Sequence, residues 1–340
     1  MGEILIAGLA SLLISIFLGP KFIQFLRDRE FGQHIREEGP AEHHLKAGTP
    51  TMGGLVIFTA IGIPYLILSN RDAASLAVFG TALASAGIGF VDDWLKIVKA
   101  RSLGLSARTK LFLQLLIAIG LWLVATKVVG LSDELSFRIF DGQVDIGGFY
   151  VVLIFLVIAG ATNGVNLADG LDGLAAGCTC SAAFTYGVLA YIAGNFKIAK
   201  YLDIPFNPFA GELAIICMAM VGASFGFLWF NCHPAKVFMG DTGSLAIGGM
   251  LGVVAICTKQ ELLLVVVGGV FVIEAVSVLI QRVWFKITKR RYGEGRRVFL
   301  MSPIHHHFEL KGWKENTVIV RFWVLSIMFA LLGLATLKLR

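Results

Sequence analysis

The chain has 340 residues, of which 56% are hydrophobic and only 15% are charged, and its mean hydropathy is +0.78. This composition excludes an ordinary soluble globular domain and predicts a polytopic membrane protein. The net charge of +6 lies in loops beside apolar segments, where lipid headgroups and phosphorylated substrates are nearer partners than nucleic acid, so we expect no nucleic acid to bind.

Ten apolar segments approach the roughly 20 residues that an α-helix needs to cross a bilayer. The predicted spans are 3–25, 52–69, 73–92, 109–130, 148–167, 173–194, 210–230, 243–258, 261–286 and 317–337. Residues 135–146 alternate apolar and polar side chains around Asp141 and Gly142, which predicts a short extracytoplasmic β-hairpin. We therefore predict an all-α polytopic membrane protein with about ten transmembrane helices and one hairpin.

The positions of Lys and Arg predict the orientation, because cytoplasmic loops carry an excess of both. With both termini outside, about 20 of the 29 basic residues fall on the cytoplasmic side. The cytoplasmic loops are then 21–51, 93–110, 163–172, 231–242 and 282–316. No segment is large enough to form a soluble domain, so residues 1–340 are predicted to form a single membrane domain with its active site in these loops.

Two adjacent acids, Asp92 and Asp93, end the third predicted span beside Lys96. Neighbouring carboxylates repel each other unless a cation lies close by. Mg²⁺ prefers oxygen ligands and often binds through one or two carboxylates together with substrate phosphates. The pair therefore indicates a magnesium site, and the alternative is a solvated helix end flanked by interfacial lysines.

The loop between the fifth and sixth spans carries Asn163, Asn166, Asp169 and Asp172 within ten residues. Its glycines let backbone amides approach a ligand, and its amide and carboxylate groups can hold a ribose, a base or metal-bound water. These residues could instead cap the two helices, with Asp172 well placed for an N-cap. Four polar groups exceed what capping needs, so we favour a binding site.

Asp241 is predicted to lie at the start of the eighth span, between Gly240 and Gly243. Its carboxylate could bind a metal, and a diphosphate could approach the glycine-flanked helix N-terminus. An N-cap is again the alternative. Thr51 in GTPTMGG and Lys110 at the entry to the fourth span are weaker signals on the same predicted face.

His305, His306 and His307 lie in a row inside the most basic loop. Consecutive histidines are poorly placed to bind one metal together, and we expect them to contact phosphate or sugar oxygens or to transfer a proton. Glu274 lies in the middle of the ninth span, where an acid is by default a functional hypothesis. The alternative is a protonated or hydrogen-bonded glutamate at a helix interface.

Five motifs occur in the order GTPTMGG, FVDDWLK, NGVNLADGLDGL, VFMGDTGSLAIGG and PIHHHFE. With these motifs nearly the whole chain resembles the phospho-N-acetylmuramoyl-pentapeptide-transferases, which belong to the polyprenyl-phosphate N-acetylhexosamine-1-phosphate transferase superfamily. The resemblance implies ten helices, a homodimer in the bacterial cytoplasmic membrane, and an active site that faces the cytoplasm. It also implies Mg²⁺-dependent transfer of phospho-MurNAc-pentapeptide from UDP-MurNAc-pentapeptide to undecaprenyl phosphate, giving lipid I and UMP.

The resemblance also implies roles for individual residues. Asp241 and Asp92 would bind Mg²⁺, Asp92 would also bind or deprotonate the lipid phosphate, and Asp93 would support the site. Lys110, His305 and His306 complete the implied catalytic set. The implied substrate-binding residues are Lys46, Thr51, Asn163, Asn166, Asp169, Asp172, Phe238, Gly240, Ser244, Gln281 and His307.

Two other functions remain as alternatives. A relative that transfers GlcNAc-1-phosphate to a polyprenyl phosphate is disfavoured by PIHHHFE, which is typical of the phospho-MurNAc-pentapeptide enzymes. A transporter would suit ten helices and Glu274, but transporters gather polar groups near the midplane, whereas here most lie at one rim. A one-step transfer and a two-step transfer through an aspartyl-phosphate both remain open.

Overall fold

The computed structural model describes residues 1–29, 48–99, 101, 103–137, 142–202 and 204–337. Helices dominate this part of the chain. In order, the elements are α1 (Gly2–Asp28), α2 (Gly54–Leu68), α3 (Ala73–Val98), α4 (Ala107–Val124), β1 (Glu134–Phe137), β2 (Gly142–Asp145), α5 (Tyr150–Ala168), α6 (Leu174–Ala193), α7 (Phe196–Tyr201), α8 (Ala210–Asn231), α9 (Gly240–Cys257), α10 (Leu263–Val267), α11 (Gly269–Tyr292), α12 (Ile304–Leu310) and α13 (Glu315–Ala335).

Eight helices within the described ranges are long and apolar enough to cross a membrane, which confirms the all-α polytopic class. They are α1, α3, α4, α5, α6, α8, α9 and α13. Two more predicted spans coincide with α2, an apolar helix of 15 residues, and with α10 and α11, which meet at Gly268. Helix α11 carries Glu274, Arg282 and Lys286 within its first 18 residues, which makes it more polar than the eight. The count of ten therefore depends on α2 and α11.

The hairpin is confirmed. Strands β1 and β2 pair antiparallel, with Glu134 opposite Asp145 and Leu135 opposite Val144. Asp141, expected in the turn, lies outside the described residues. The side of the membrane on which the hairpin lies stays a prediction.

Helix α9 occupies the centre of the bundle, where α2, α3 and α5 pack around it. In the apolar 18-residue stretch of α9, 89% of the residues are buried, whereas 28% are buried in the corresponding stretches of α1 and α4. Its sequence is rich in glycine, and small residues let helix backbones approach closely where lipid offers no hydrophobic driving force. The N-terminus of this central helix carries Asp241, so the packing places Asp241 inside the bundle.

Candidate active site

Two glycines bring three helix ends together at the start of α9. A Cβ atom on Gly89 of α3 would overlap the carbonyl oxygen of Asp241, and a Cβ atom on Gly54 of α2 would overlap the backbone of Gly243. No side chain can therefore stand between these backbones. As a result, the acids one turn beyond Gly89 directly face the first turn of α9.

Asp93 caps the N-terminus of α9 from a neighbouring helix. Its carboxylate accepts hydrogen bonds from the backbone N–H groups of Asp241 (3.2 Å) and Thr242 (2.9 Å) and from the Thr242 hydroxyl (2.8 Å). The first N–H groups of a helix have no partner within the helix, and a negative charge there is favourable. Asp93 is only 2% exposed. Its contacts hold Asp241 in position, and its catalytic role stays a prediction.

Two lysines bridge the carboxylates of Asp92 and Asp241. The Lys96 ammonium lies 2.7 Å from Asp92 Oδ2 and 3.0 Å from Asp241 Oδ1. The Lys110 ammonium lies 3.0 Å from Asp92 Oδ1 and 2.5 Å from Asp241 Oδ2. Asp92 is 1% exposed, so the alternative of a solvated helix end is wrong. Asp241 lies in the first turn of α9, after the N-cap Met239, so the N-cap alternative for Asp241 is also wrong.

The sequence interpretation treated Lys96 only as a neighbour of the acids, although it contacts both bridged carboxylates. The signal was present, because Lys96 follows Asp92 by four residues and Asp93 by three, and such residues share one face of a helix. No sequence pattern indicated that Lys96 also contacts Asp241, which lies 145 positions away.

The segment before α4 covers Asp92. The backbone N–H of Leu105 donates to Asp92 Oδ1 at 2.6 Å, and a Cβ atom on Gly104 would overlap the same carboxylate. Asp92 is therefore held by backbone as well as by lysine, and Asp241 is the more accessible of the two acids.

The end of α5 supplies the third side of the site. Asn166 donates from Nδ2 to Asp241 Oδ1 and to Ser244 Oγ, both at 2.9 Å. The carboxyl of Asp169 accepts a hydrogen bond from the backbone of Gly240, and its pKa is raised well above the ordinary value, first by burial and then by the charges of Asp241 and Asp93. Asn166, Asp169 and Ser244 thus lie beside the acids, and their substrate-binding roles stay predictions.

The donor set fits a hard divalent cation. One carboxylate oxygen each from Asp92, Asp93 and Asp241 lie within 4.8 Å of one another. Oxygen ligands of this kind suit Mg²⁺. When all are ionised, these three acids carry more negative charge than the ammonium groups of Lys96 and Lys110 balance, so a cation would be drawn to the cluster.

GTPTMGG meets VFMGDTG through backbone hydrogen bonds. Phe238 N–H donates to Pro50 O at 2.8 Å, and Gly53 N–H donates to Phe238 O at 2.9 Å. Gly240 has φ +73°, and a Cβ atom there would also crowd Asp93 Oδ2 and Thr51 Oγ1. Thr51, Phe238 and Gly240 therefore border the acid cluster. Lys46 lies outside the described residues.

Asp172 lies in a second cluster with two residues that the sequence interpretation missed. Asp172 Oδ2 accepts from Ala235 N–H at 3.0 Å and lies 3.2 Å from His233 Nδ1, which is 3.4 Å from Glu315 Oε2. Glu315 Oε1 accepts from the Asp172 N–H at 3.2 Å. The N-cap of α6 is Gly173, so the capping alternative for Asp172 is wrong. Isolated His233 and Glu315 had no sequence signal.

Asn163 is not part of the acid cluster in the described residues. Its Nδ2 donates to Gln114 Oε1 at 3.0 Å and to Ala159 O at 2.8 Å. Gln114 in turn donates to the Thr162 hydroxyl at 2.9 Å. Asn163 thus helps to satisfy a polar contact between α4 and α5, and its substrate-binding role stays a prediction.

Gln281 and His307 hold the segment that precedes α12. The Gln281 amide donates to Phe299 O at 2.9 Å and accepts from the N–H groups of Val298 and Phe299, both at 3.0 Å. His307 Nδ1 accepts from Leu300 N–H at 3.1 Å. Desolvation, and secondly Lys311, lower the pKa of His307, which favours the neutral ring that can accept this hydrogen bond.

The three histidines face different partners in the described residues. His306 Nδ1 lies 2.7 Å from Glu309 Oε2. His305 is fully buried against Glu274, which connects the intramembrane acid to this motif.

Comparison with known proteins identifies the family. The family model described as "Glycosyl transferase family 4" matches residues 75–259, and "Phospho-N-acetylmuramoyl-pentapeptide-transferase signature 1" matches residues 46–58. Proteins named phospho-N-acetylmuramoyl-pentapeptide-transferase are 50% identical in Desulfatibacillum aliphaticivorans, 47% in Chlorobium luteolum and 48% in Syntrophus aciditrophicus. Each alignment covers 98% of this chain and 92% of the relative. The chain therefore belongs to the phospho-N-acetylmuramoyl-pentapeptide-transferase family.

Proposed function

We propose that the protein transfers phospho-MurNAc-pentapeptide from UDP-MurNAc-pentapeptide to undecaprenyl phosphate, giving lipid I and UMP with the help of Mg²⁺. This would be the first membrane step of peptidoglycan synthesis. The observation that carries the proposal is the convergence of Asp92, Asp93 and Asp241 with Lys96 and Lys110 at one end of a membrane bundle. Such a cluster suits phosphoryl transfer, which depends on positioning and on charge stabilisation.

The reaction brings two anions together, because the lipid phosphate attacks the β-phosphate of the nucleotide sugar. Lys96 and Lys110 supply positive charge at the cluster and are already held between Asp92 and Asp241. Mg²⁺, held by Asp92 and Asp241, would add charge neutralisation for the phosphates and for the departing UMP. Asp93 would keep the first turn of α9 in place.

The surrounding residues would bind the nucleotide sugar. Asn166 and Ser244 border Asp241 directly, and amide and hydroxyl groups suit ribose or phosphate oxygens. The remaining proposed contacts are Lys46, Thr51, Asn163, Asp169, Asp172, Phe238, Gly240, Gln281, His305, His306 and His307.

We further propose that residues 1–340 form one domain in the bacterial cytoplasmic membrane. The active site would face the cytoplasm, and loops 21–51, 93–110, 163–172, 231–242 and 282–316 would form it. The excess of Lys and Arg in these loops supports this orientation. We also propose a homodimer, which the family resemblance supports.

UMP release tests the proposal. Purified protein in detergent or vesicles should release UMP from UDP-MurNAc-pentapeptide only when Mg²⁺ and undecaprenyl phosphate are both present, and EDTA should abolish the release. UDP-GlcNAc, assayed in parallel, should be a poor substrate. Preference for UDP-GlcNAc would favour the GlcNAc-1-phosphate alternative, and no UMP from either nucleotide sugar would overturn the proposal.

Replacing Asp92 with asparagine should lower kcat strongly at every pH. The second pKa of a phosphate monoester is near 6, so the lipid phosphate is already mostly dianionic at neutral pH and needs little help from a base. Asp92 instead holds Lys96, Lys110 and the backbone of Leu105. The measurement is the rate of UMP release between about pH 6 and 9. A loss that high pH restores would show that Asp92 acts mainly as a base.

A further inference from the structure

Glu274 of α11 and His305 of α12 form a buried pair. Both residues are 0% exposed, and Glu274 Oε1 lies 3.1 Å from His305 Nδ1. A buried carboxylate without a partner is costly, and pairing with a nearby donor removes much of that cost. The pair explains why an acid is tolerated inside the bundle, and it links a predicted membrane span to the histidine motif.

The contact determines which ring nitrogen carries the proton. A neutral imidazole has one N–H and one acceptor nitrogen, and the group that faces one nitrogen sets the tautomer. An unprotonated Nδ1 would direct its lone pair at the Glu274 carboxylate, which is repulsive. The proton therefore belongs on Nδ1, where a small rotation aligns it with Oε1, and Nε2 is left as the acceptor.

Nε2 points at the loop that borders the acid cluster. A Cβ atom on Gly170 would lie 2.5 Å from His305 Nε2, so only glycine leaves room for the ring. Gly170 follows Asp169. The Asp169 carboxyl accepts a hydrogen bond from the backbone of Gly240, which is next to Asp241. Neither ring nitrogen makes an aligned hydrogen bond among the described residues, and both Glu274 oxygens are likewise unsatisfied. What distinguishes the nitrogens is that Nδ1 lies 3.1 Å from Glu274 Oε1, whereas Nε2 lies against Gly170. A buried acceptor without a partner calls for one, and Gly170, the residue that covers Nε2, is itself exposed, so a ligand group would reach Nε2 from the side of Gly170.

We propose that Glu274 is a positioning residue, which holds His305 with Nδ1 protonated so that Nε2 can accept a hydrogen bond from a hydroxyl or N–H group of the nucleotide-sugar substrate. The inference rests on the proposed function, because it assigns Nε2 to the same reaction. Carboxylates that orient metal-bound histidines contribute about 10-fold to 100-fold to activity, and we expect an effect of the same order here.

The tautomer is measured directly on the wild-type protein. With ¹⁵N-labelled histidine, the signal of His305 is assigned by its loss in His305→Gln. We expect a protonated Nδ1 and an unprotonated Nε2 at neutral pH, and the opposite tautomer in Glu274→Gln, whose amide can donate to Nδ1. A wild-type ring with its proton on Nε2, or on both nitrogens, would overturn the proposal, and this readout does not require any Glu274 variant to fold.

A double-mutant cycle then tests whether Glu274 acts through His305. We expect Glu274→Gln and His305→Gln each to lower kcat/KM by about 10-fold to 100-fold, and the double variant to be no worse than His305→Gln alone, because both changes remove one function. Additive losses, or full activity in Glu274→Gln, would contradict the proposal. The double variant buries neither a carboxylate nor an imidazole, so it also serves if Glu274→Gln folds poorly.

Ser277→Ala is the matched control. Ser277 is 2% exposed, lies one turn after Glu274 on α11, and its hydroxyl donates to the backbone oxygen of Glu274 at 2.7 Å. The activity of the Ser277→Ala variant should stay near that of the wild type. A loss as large as that in Glu274→Gln would show that α11 is merely sensitive to substitution. If the wild type releases no UMP, the proposed function fails. The tautomer measurement still tests whether Glu274 holds His305 with its proton on Nδ1.

Discussion

Replacing Asp241 with asparagine should reduce UMP release by about 1000-fold, the upper range for losing one preorganised electrostatic contact in an active site. The substitution keeps the shape of the side chain but removes the charge that pairs with Lys96 and Lys110 and one proposed ligand of the metal. The fold should persist, because both lysines keep Asp92 as a partner. The measurements are kcat and the Mg²⁺ concentration that gives half-maximal rate.

Asp72→Asn provides the control for this charge removal. Asp72 is the N-cap of α3, at the opposite end of the helix from Asp92, and its carboxylate accepts from Ser75 N–H at 2.7 Å. Asparagine is an equally good N-cap, so activity and thermal stability should both be kept. Asp241→Asn with more than a tenth of wild-type activity would contradict the assignment of Asp241 to the centre of the site.

Replacing Gly89 with alanine should inactivate the protein and destabilise it by about 1–3 kcal/mol, the range typical of overpacking. The added Cβ would overlap the carbonyl of Asp241 and the backbone N of Thr242. Since these are backbone atoms, α3 and α9 must move apart. That movement stretches the hydrogen bonds by which Asp93 caps α9. Thermal unfolding in detergent and the rate of UMP release are the two measurements.

Gly87→Ala separates this effect from the general consequence of adding a methyl group to α3. Gly87 lies two residues earlier on the same helix, and a Cβ atom there meets nothing within 4 Å. Alanine is favoured over glycine inside a helix by about 0.5–1 kcal/mol, so this variant should be at least as stable as the wild type and fully active. Equal behaviour of the two variants would refute the close approach of α3 and α9.

The membrane class and the hairpin were predictable because each depends on local sequence. Long apolar runs form helices in lipid since every backbone polar group must be satisfied within the segment. The alternation in residues 135–146 follows from the two-residue repeat of a strand. The apolar pattern is weaker at α11, where Glu274, Arg282 and Lys286 interrupt it.

Residue type also identified much of the candidate site. Asp92, Asp241, Asn166 and Asp169 were selected as polar groups at helix ends, and they converge in the structure. The sequence did not distinguish Asp172 from these four residues. In the structure the Asp172 carboxylate instead accepts a hydrogen bond from Ala235 N–H and contacts His233. Spacing along a loop does not reveal which side of the loop each side chain faces.

By itself, the sequence determined that the chain forms membrane helices, that its polar motifs lie at their ends, and which ligand types those motifs offer. Only the tertiary structure decided that Asp93 caps α9, that Lys110 reaches Asp241 across 131 positions, and that Glu274 meets His305. The physical reason is that local patterns depend on the repeat of one helix or strand. Contacts between distant segments depend on how closely two helices pack, and at Gly89 a single missing Cβ sets that distance.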